Sequence, residues 1–444
     1  MRSYRESGNV AKAFAAALDF IAAEPLSAVL PDLVQFAASP SDIEKLSRLL
    51  DRIEDQVPAE WSYAARAHVC EAAGDFDQAE TLFSQASQEP NAFPSRFQYV
   101  QFLNRQGQHK RALDHLKELL ILTPEEEELY SEYVLTLEAL GKIPFLKRYL
   151  QKWLSPDAQA DAYVLAAEQL MNRLEQLEEE PPSGIIKRMR HHSKRMMFAS
   201  TVITLCETAS KLAPDREDAA IQLAQFYVNR DMAKEAVDEL KPYAKTRAPG
   251  EAQRMLMFAE LQLAEANGNP KQYESLVKRF KAYEKTAPLD AELLSWWSEA
   301  LEIMEDIPGA LDKLDAAIAL EPFNADLYIR KWNALESLDF NKRIEFEDSL
   351  PEELHFAEWL IVTRASGYST KRHGQRAKEL LQPLLADMPG FIPARYELAR
   401  AQAASHQPLA AKAILKELLE TEEASAIWEM AVEEDLFSSF IVEL

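Results

Sequence analysis

Apolar residues recur along most of this chain at three- and four-residue intervals, the period of one face of an α-helix. From Glu60 a stripe of Tyr63, Ala67 and Cys70 leads to Gly74, and a second stripe of Ala79, Phe83 and Ala86 is closed by Pro90. The next stretch repeats the layout: Tyr99, Val100 and Leu103, then Gly107, then Ala112, Leu116 and Leu119, ending near Pro124. A third pass runs through Tyr130, Tyr133, Val134 and Leu137 to Gly141, then Leu146, Leu150 and Trp153. Gly107 and Gly141 lie 34 residues apart, and Ala79 and Ala112 lie 33 apart. Each period predicts two helices joined by a tight turn. Glycine admits the left-handed backbone of such a turn, and a small alanine lets the two helices cross closely.

The layout returns later. Leu223, Ala224 and Tyr227 precede Ala236, Leu240 and Tyr243; Leu294, Trp297, Ser298 and Leu301 precede Ala310, Leu314, Ala317 and Pro322. Tyr328, Trp332 and Leu335 open a further unit, and Leu398 and Ala399 precede Ala411, Leu415 and Leu418. This arrangement resembles the tetratricopeptide repeat family, well over 60–156, 217–250, 291–335 and 358–420, and loosely elsewhere. The resemblance implies an all-α fold, a right-handed superhelical solenoid of stacked antiparallel helix hairpins with some irregular units. It divides the chain into an atypical N-terminal helical cap (1–59), repeats (60–156), an irregular helical segment (157–216), repeats (217–420) and a C-terminal helical cap (421–444). Ser39–Pro40–Ser41–Asp42 is a helix start signal within the first cap. The apolar tail 436–442 reads as cover for the last core face, since a solenoid end must be covered, or as an exposed docking segment.

Composition sharpens this picture. The chain has 444 residues, only 11 glycines, 23 prolines and a formal net charge of −24. Such a surface repels a nucleic-acid backbone and an anionic membrane, and it fits a basic peptide or protein face better. The same charge also serves simply to keep a long repeat protein soluble. Cys70 and Cys206 both fall at positions that read as buried, so no disulfide scaffold is expected. Residues 1–10 do not form a secretory signal, and no apolar run is long enough to span a bilayer. A cytoplasmic protein is the simple expectation.

Catalytic and metal motifs do not emerge. His355 follows Glu353 without a second histidine at metal-binding spacing, and adjacent His191 and His192 are poorly placed to share an ion from one helix. No glycine-rich phosphate loop, nucleophile elbow or paired-cysteine motif occurs, so no catalytic residue, metal or cofactor is assigned. The resemblance implies instead a concave face lined by the first helix of each hairpin. Candidate groove residues are Phe97, Gln101, Asn104, Arg105, Ser131, Glu138, Ile221, Gln225, Asn229, Ser295, Glu299, Ile329 and Asn333. A terminal-carboxylate clamp of Lys, Asn and Arg is not found in register; Asp218 and Asp326 stand where it would want cations. Adjacent Trp296 and Trp297 cannot share one helix face, so one packs in the core while the other either packs between units or anchors a partner.

The regular period breaks at Pro181, Pro182, Ser183 and Gly184. A basic cluster follows, with Lys187, Arg188, Arg190, Lys194 and Arg195 as a candidate docking patch. It reads as a solvated face paired with nearby glutamates, as a site for an acidic or phosphorylated segment, or as a join between two blocks. The leading functional expectation is a non-catalytic scaffold or adaptor that binds a protein or peptide in its groove. The alternatives are a regulatory or assembly subunit docking through 187–195 or the C-terminal tail, and an accessory region of a larger enzyme.

Overall fold

A computed structural model describes residues 18, 20–21, 39–88, 93–179, 185–244, 250–338, 340–421, 423–438 and 440–441. Residues 1–10, Pro31, Pro90, Glu180 to Gly184, Ser439 and Val442, on which sequence expectations were placed, lie outside them. The described residues are helical and contain no β-strand. Among them no helix is long and apolar enough to cross a membrane. The chain forms two compact units, residues 1–230 and 231–444.

In the first unit, α1 (Pro40–Ile53) is capped by Ser39, whose hydroxyl accepts the Asp42 N–H at 3.3 Å. Its Leu46, Leu49, Leu50 and Ile53 are buried with Ile21 against Ala65 and Val69. Four antiparallel hairpins follow: α2–α3 (Ala59–Ala73, Phe76–Gln88), α4–α5 (Phe93–Arg105, His109–Leu122), α6–α7 (Glu127–Ala139, Leu146–Trp153) and α8–α9 (Pro156–Glu179, Ile185–Leu212). The last element is α10 (Asp218–Val228). Successive first helices α2, α4, α6, α8 and α10 each pack on the next. The two long helices flanking residues 180–184, α8 and α9, pack on one another within this unit.

The second unit runs α11 (Ala233–Ala244), α12–α13 (Glu251–Asn267, Pro270–Glu284), α14–α15 (Ala291–Ile303, Ile307–Leu320) and α16–α17 (Ala325–Ala334, Phe340–Glu347). It continues with α18–α19 (Glu358–Thr370, Gly374–Asp387), α20–α21 (Ile392–Ala404, Pro408–Leu418) and α22 (Ala424–Glu433). Phe437 and Phe440 are buried with Tyr396, Leu415, Leu418 and Ile427. These tail side chains therefore cover the last hairpin and are not available to a partner.

One position recurs in the second helices. Ala79, Ala112, Ala310, Ala377 and Ala411 each stand fourth in their helix, and each is 0% exposed. No larger side chain fits where two helices approach this closely. Two helices of the second unit depart from the rule: the fourth residue of α13 is Tyr273, 3% exposed, and that of α17 is Arg343, 2% exposed. The guanidinium lies 5.3 Å from the Trp332 ring, and its Nε–H donates to the Trp332 carbonyl at 2.9 Å. Room for it comes from Gly367 on α18, where a Cβ would stand 3.0 Å from both Arg343 Nη1 and Trp332 Nε1.

The turns are equally regular. Gly107 and Gly141 have φ of 71° and 66°, and the next residue closes each turn, as in Gln108 N–H to Leu103 O at 2.8 Å. Glu305, Arg372 and His406 adopt φ of 63°, 62° and 58° in the corresponding turns of later hairpins. Their closing bonds match, for example His373 N–H to Tyr368 O at 2.8 Å. The hairpin geometry thus imposes a left-handed residue even where no glycine marks it. Cys206 is buried as expected, but Cys70 is only half-buried: the edge of the α2 stripe carries it partly outward.

Replacing Ala112 by leucine should cost about 1–3 kcal/mol, because the added methylenes force α4 and α5 apart. Urea unfolding of the variant against wild type measures this.

Candidate functional site

The first helices of the first unit carry a set of polar rungs, each joining one hairpin to the next. Arg105, at the end of α4, grips Glu71 of α2 with two parallel bonds of 2.8 Å, Nε to Oε1 and Nη2 to Oε2. Such a fork is stronger and more specific than a single charged contact. One residue back, the Asn104 side-chain amide donates to Glu132 and Thr136 of α6, both at 2.8 Å. Glu138 of α6 then accepts from Arg173 of α8 at 2.8 Å and 3.2 Å, and from Lys194 of α9. The pairs Glu71–Arg105 and Glu138–Arg173 are 34 and 35 residues apart, so the repeat itself delivers the partners to one another.

The electrostatics follow from this placement. Burial alone would raise the Glu71 carboxyl. The bonds from His68 and Arg105 outweigh it and bring it down to about 2. At Glu138 burial also pushes upward, and Arg173 and Lys194 prevail to hold it below the ordinary carboxylate value. In the second unit Glu299 pairs with Arg330. Neighbouring Glu265 is raised to about 7, by loss of solvent and then by the hydrogen bond and repulsion of Glu299.

The predicted groove residues therefore divide. Asn104, Arg105, Glu138 and Glu299 are already engaged within the protein. Phe97, Gln101, Ser131 and Ile221 are half-buried. Gln225 donates to exposed Asn229 at 2.7 Å, and Asn333 is exposed. Ser295 is a correction: it is 6% exposed and lies in the core side of α14, not on a groove. That helix buries residues around most of its circumference, including Leu293, Leu294 and Trp297, so its apolar face is wider than a simple stripe. Ile329 packs its half-buried side chain against the core cluster of Trp332 and Leu360. Trp296 stacks on Phe258 of α12 with ring centroids 4.8 Å apart, which is packing between hairpins.

The partners Glu71, Glu132, Thr136 and Arg173 were missed in the sequence. The usable signal was a complementary pair one repeat apart, which a search for exposed stripe residues overlooks. The basic segment divides too. Lys194 binds Glu138, and Arg195 binds Glu178 at 2.7 Å beside Arg230 at 3.3 Å. Lys187, Arg188 and Arg190 are exposed, with no ion pair among the described residues. Nor, among those residues, do three His, Cys, Asp or Glu side chains converge as a metal site would need.

The depressed Glu71 carboxyl has a pH signature. Its stabilisation is complete above the unfolded value near 4.5 and is lost as pH falls toward about 2. Glu71→Gln should flatten this part of the acid limb in urea unfolding followed between those pH values; an unchanged limb would dissociate Glu71 from acid stability.

A tetratricopeptide repeat family profile matches residues 372–433, which span α19 to α22. No curated protein matches the chain in sequence. Among solved structures, yeast Tom70 is 12% identical, with 86% of this chain and 90% of that one covered at a TM-score of 0.42. The Cut9–Hcn1 hetero-tetramer of APC/C is 13% identical over 100% and 95%, at 0.34. Naa15/Naa10 bound to HypK-THB is 14% identical over 99% and 76%, at 0.31. With its repeated helix hairpins, left-handed turns and matched segment, the chain has an all-α architecture that is tetratricopeptide-like.

Proposed function

We propose that this protein is a non-catalytic interaction scaffold that holds a segment of a partner protein along the first helices of residues 59–179. The observation that supports it is the row of inter-hairpin rungs. Glu71–Arg105, Asn104–Thr136 and Glu138–Arg173 fix the polar groups of this face before any partner arrives. Little ordering entropy then remains to be lost on binding. Half-buried Phe97 and Gln101 offer one aromatic and one amide contact to a peptide. The net charge of −24 favours a partner segment carrying lysine or arginine.

The test is to pan a random peptide library against wild type and against the Phe97→Ala, Gln101→Ala double variant. Peptides rich in Lys and Arg should be enriched on wild type and bind the double variant about tenfold or more weakly, equivalent to roughly 1.4 kcal/mol. Equal binding to both proteins would remove the first-helix face from the scheme.

A second reading, an assembly subunit, is favoured by the exposed cations Lys187, Arg188 and Arg190 at the start of α9. Reversing all three to glutamate should abolish binding of acidic or phosphorylated peptides on an array. Retained binding would eliminate this patch.

A further inference from the structure

Helix α17 has 8 residues, whereas the other second helices of its unit have 11 to 15. Beyond its end the chain forms only a short 3-10 segment, Glu352–Phe356. Arg343 stands where α15, α19 and α21 have alanine, and its buried side chain lies between Trp332 of α16 and Gly367 of α18. The two faces that a full-length second helix would cover, on α18 and α19, are left as a cleft of about 650 Å³. That volume is within the range of ordinary ligand pockets.

The walls of the cleft are mixed: Ile361 from α18 and Leu380 and Leu384 from α19 share them with Arg364, Arg376 and Glu379, and exposed Phe356 and Met388 stand at the mouth. Phe356 is 75% exposed, an arrangement that leaves a large aromatic in water beside a partly apolar recess. At the floor, Glu347 is bound by Arg364, Tyr368 and Arg376. Among the described residues Arg364 keeps a buried Nε without a hydrogen-bond partner, and half-exposed Arg376 also meets Glu379. The rim is acidic: Asp348, Glu358 and Asp387 are exposed, and among the described residues no cation pairs with them. The carbonyl end of α17 adds partial negative charge to the same mouth.

We infer that this cleft is a docking site for a basic amphipathic helix of a partner protein, whose apolar stripe takes the place of the turns that α17 lacks and whose lysines or arginines meet Asp348, Glu358 and Asp387. The charge complementarity selects the occupant: an acidic or neutral apolar helix would leave three carboxylates facing no counter-charge. Helix-in-groove binding of this kind needs apolar anchors at successive turns, and exposed Phe356 and Met388 with half-buried Leu380 provide the receiving contacts above buried Ile361 and Leu384. This surface is separate from the first helices of residues 59–179 and stands without them.

The probe is a fluorescein-labelled amphipathic peptide of about 14 residues, built of leucine, alanine and lysine, with a counterpart in which every lysine is glutamate. Fluorescence anisotropy follows binding to the full chain. The lysine peptide should bind, more weakly as salt rises, and the glutamate peptide should not. In the Asp348→Lys, Asp387→Lys double variant the affinity should fall roughly tenfold or more. Phe356→Ala should weaken binding separately, and the thermal transition of each variant should match wild type because all three positions are exposed. Binding of the lysine peptide that survives both variants undiminished, or equal binding of the glutamate peptide, overturns the proposal. So does the absence of any anisotropy change with wild type.

Discussion

Every hairpin in both units depends on how closely its two helices approach. An amphipathic helix cannot shelter its apolar side alone, and in a repeat array only the neighbours supply cover. Alanine stands fourth and fully buried in the second helices α3, α5, α15, α19 and α21, where it keeps the approach close. Close approach then brings the larger side chains of one hairpin into contact, as with His68 against Phe83 at 4.9 Å and Tyr99 against His115 at 5.1 Å. Where arginine replaces alanine in α17, the buried charge is accommodated by a carbonyl, an indole ring, the Glu336 carboxylate and a missing Cβ. That helix is short, and a cleft opens beside it.

Much of this was legible in the chain. Alanine and glycine at a common spacing identified the crossings and three of the turns, because both residue types are chosen there for their lack of bulk. The later turns were not legible. Glu305, Arg372 and His406 are in left-handed conformation because the six-residue closing bond of the hairpin demands it, and their side chains announce nothing. The candidate binding face was only partly legible. A stripe beside the core stripe does face the neighbouring first helix, but the same position that lets Asn104 and Arg105 face outward also lets them reach the next repeat. Ser295 failed for a related reason: a small hydroxyl fits a buried helix contact as readily as an exposed one.

The acidic surface is not uniform. Glu71 and Glu138 are held charged by arginines, and Glu265 shares a site with Glu299 and titrates near 7. Asp348, Glu358 and Asp387 remain unneutralised around a partly apolar recess. Charge in this protein therefore has two uses. Along the first helices of the first unit it joins hairpins to each other, and at the mouth beside α17 it is left open to solvent.

The rungs also bear on how such an array changes through recombination. If α4 and α5 were deleted as one module, Ala139 of α6 would come opposite Glu71, because it occupies the place in its helix that Arg105 occupies in α4. A shielded carboxylate would then face a methyl group. The hairpins share a backbone plan, yet their joining surfaces are individual, so loss or duplication of a whole module needs a compensating substitution at the new junction. Point substitution away from the rungs and the buried alanines meets no such barrier.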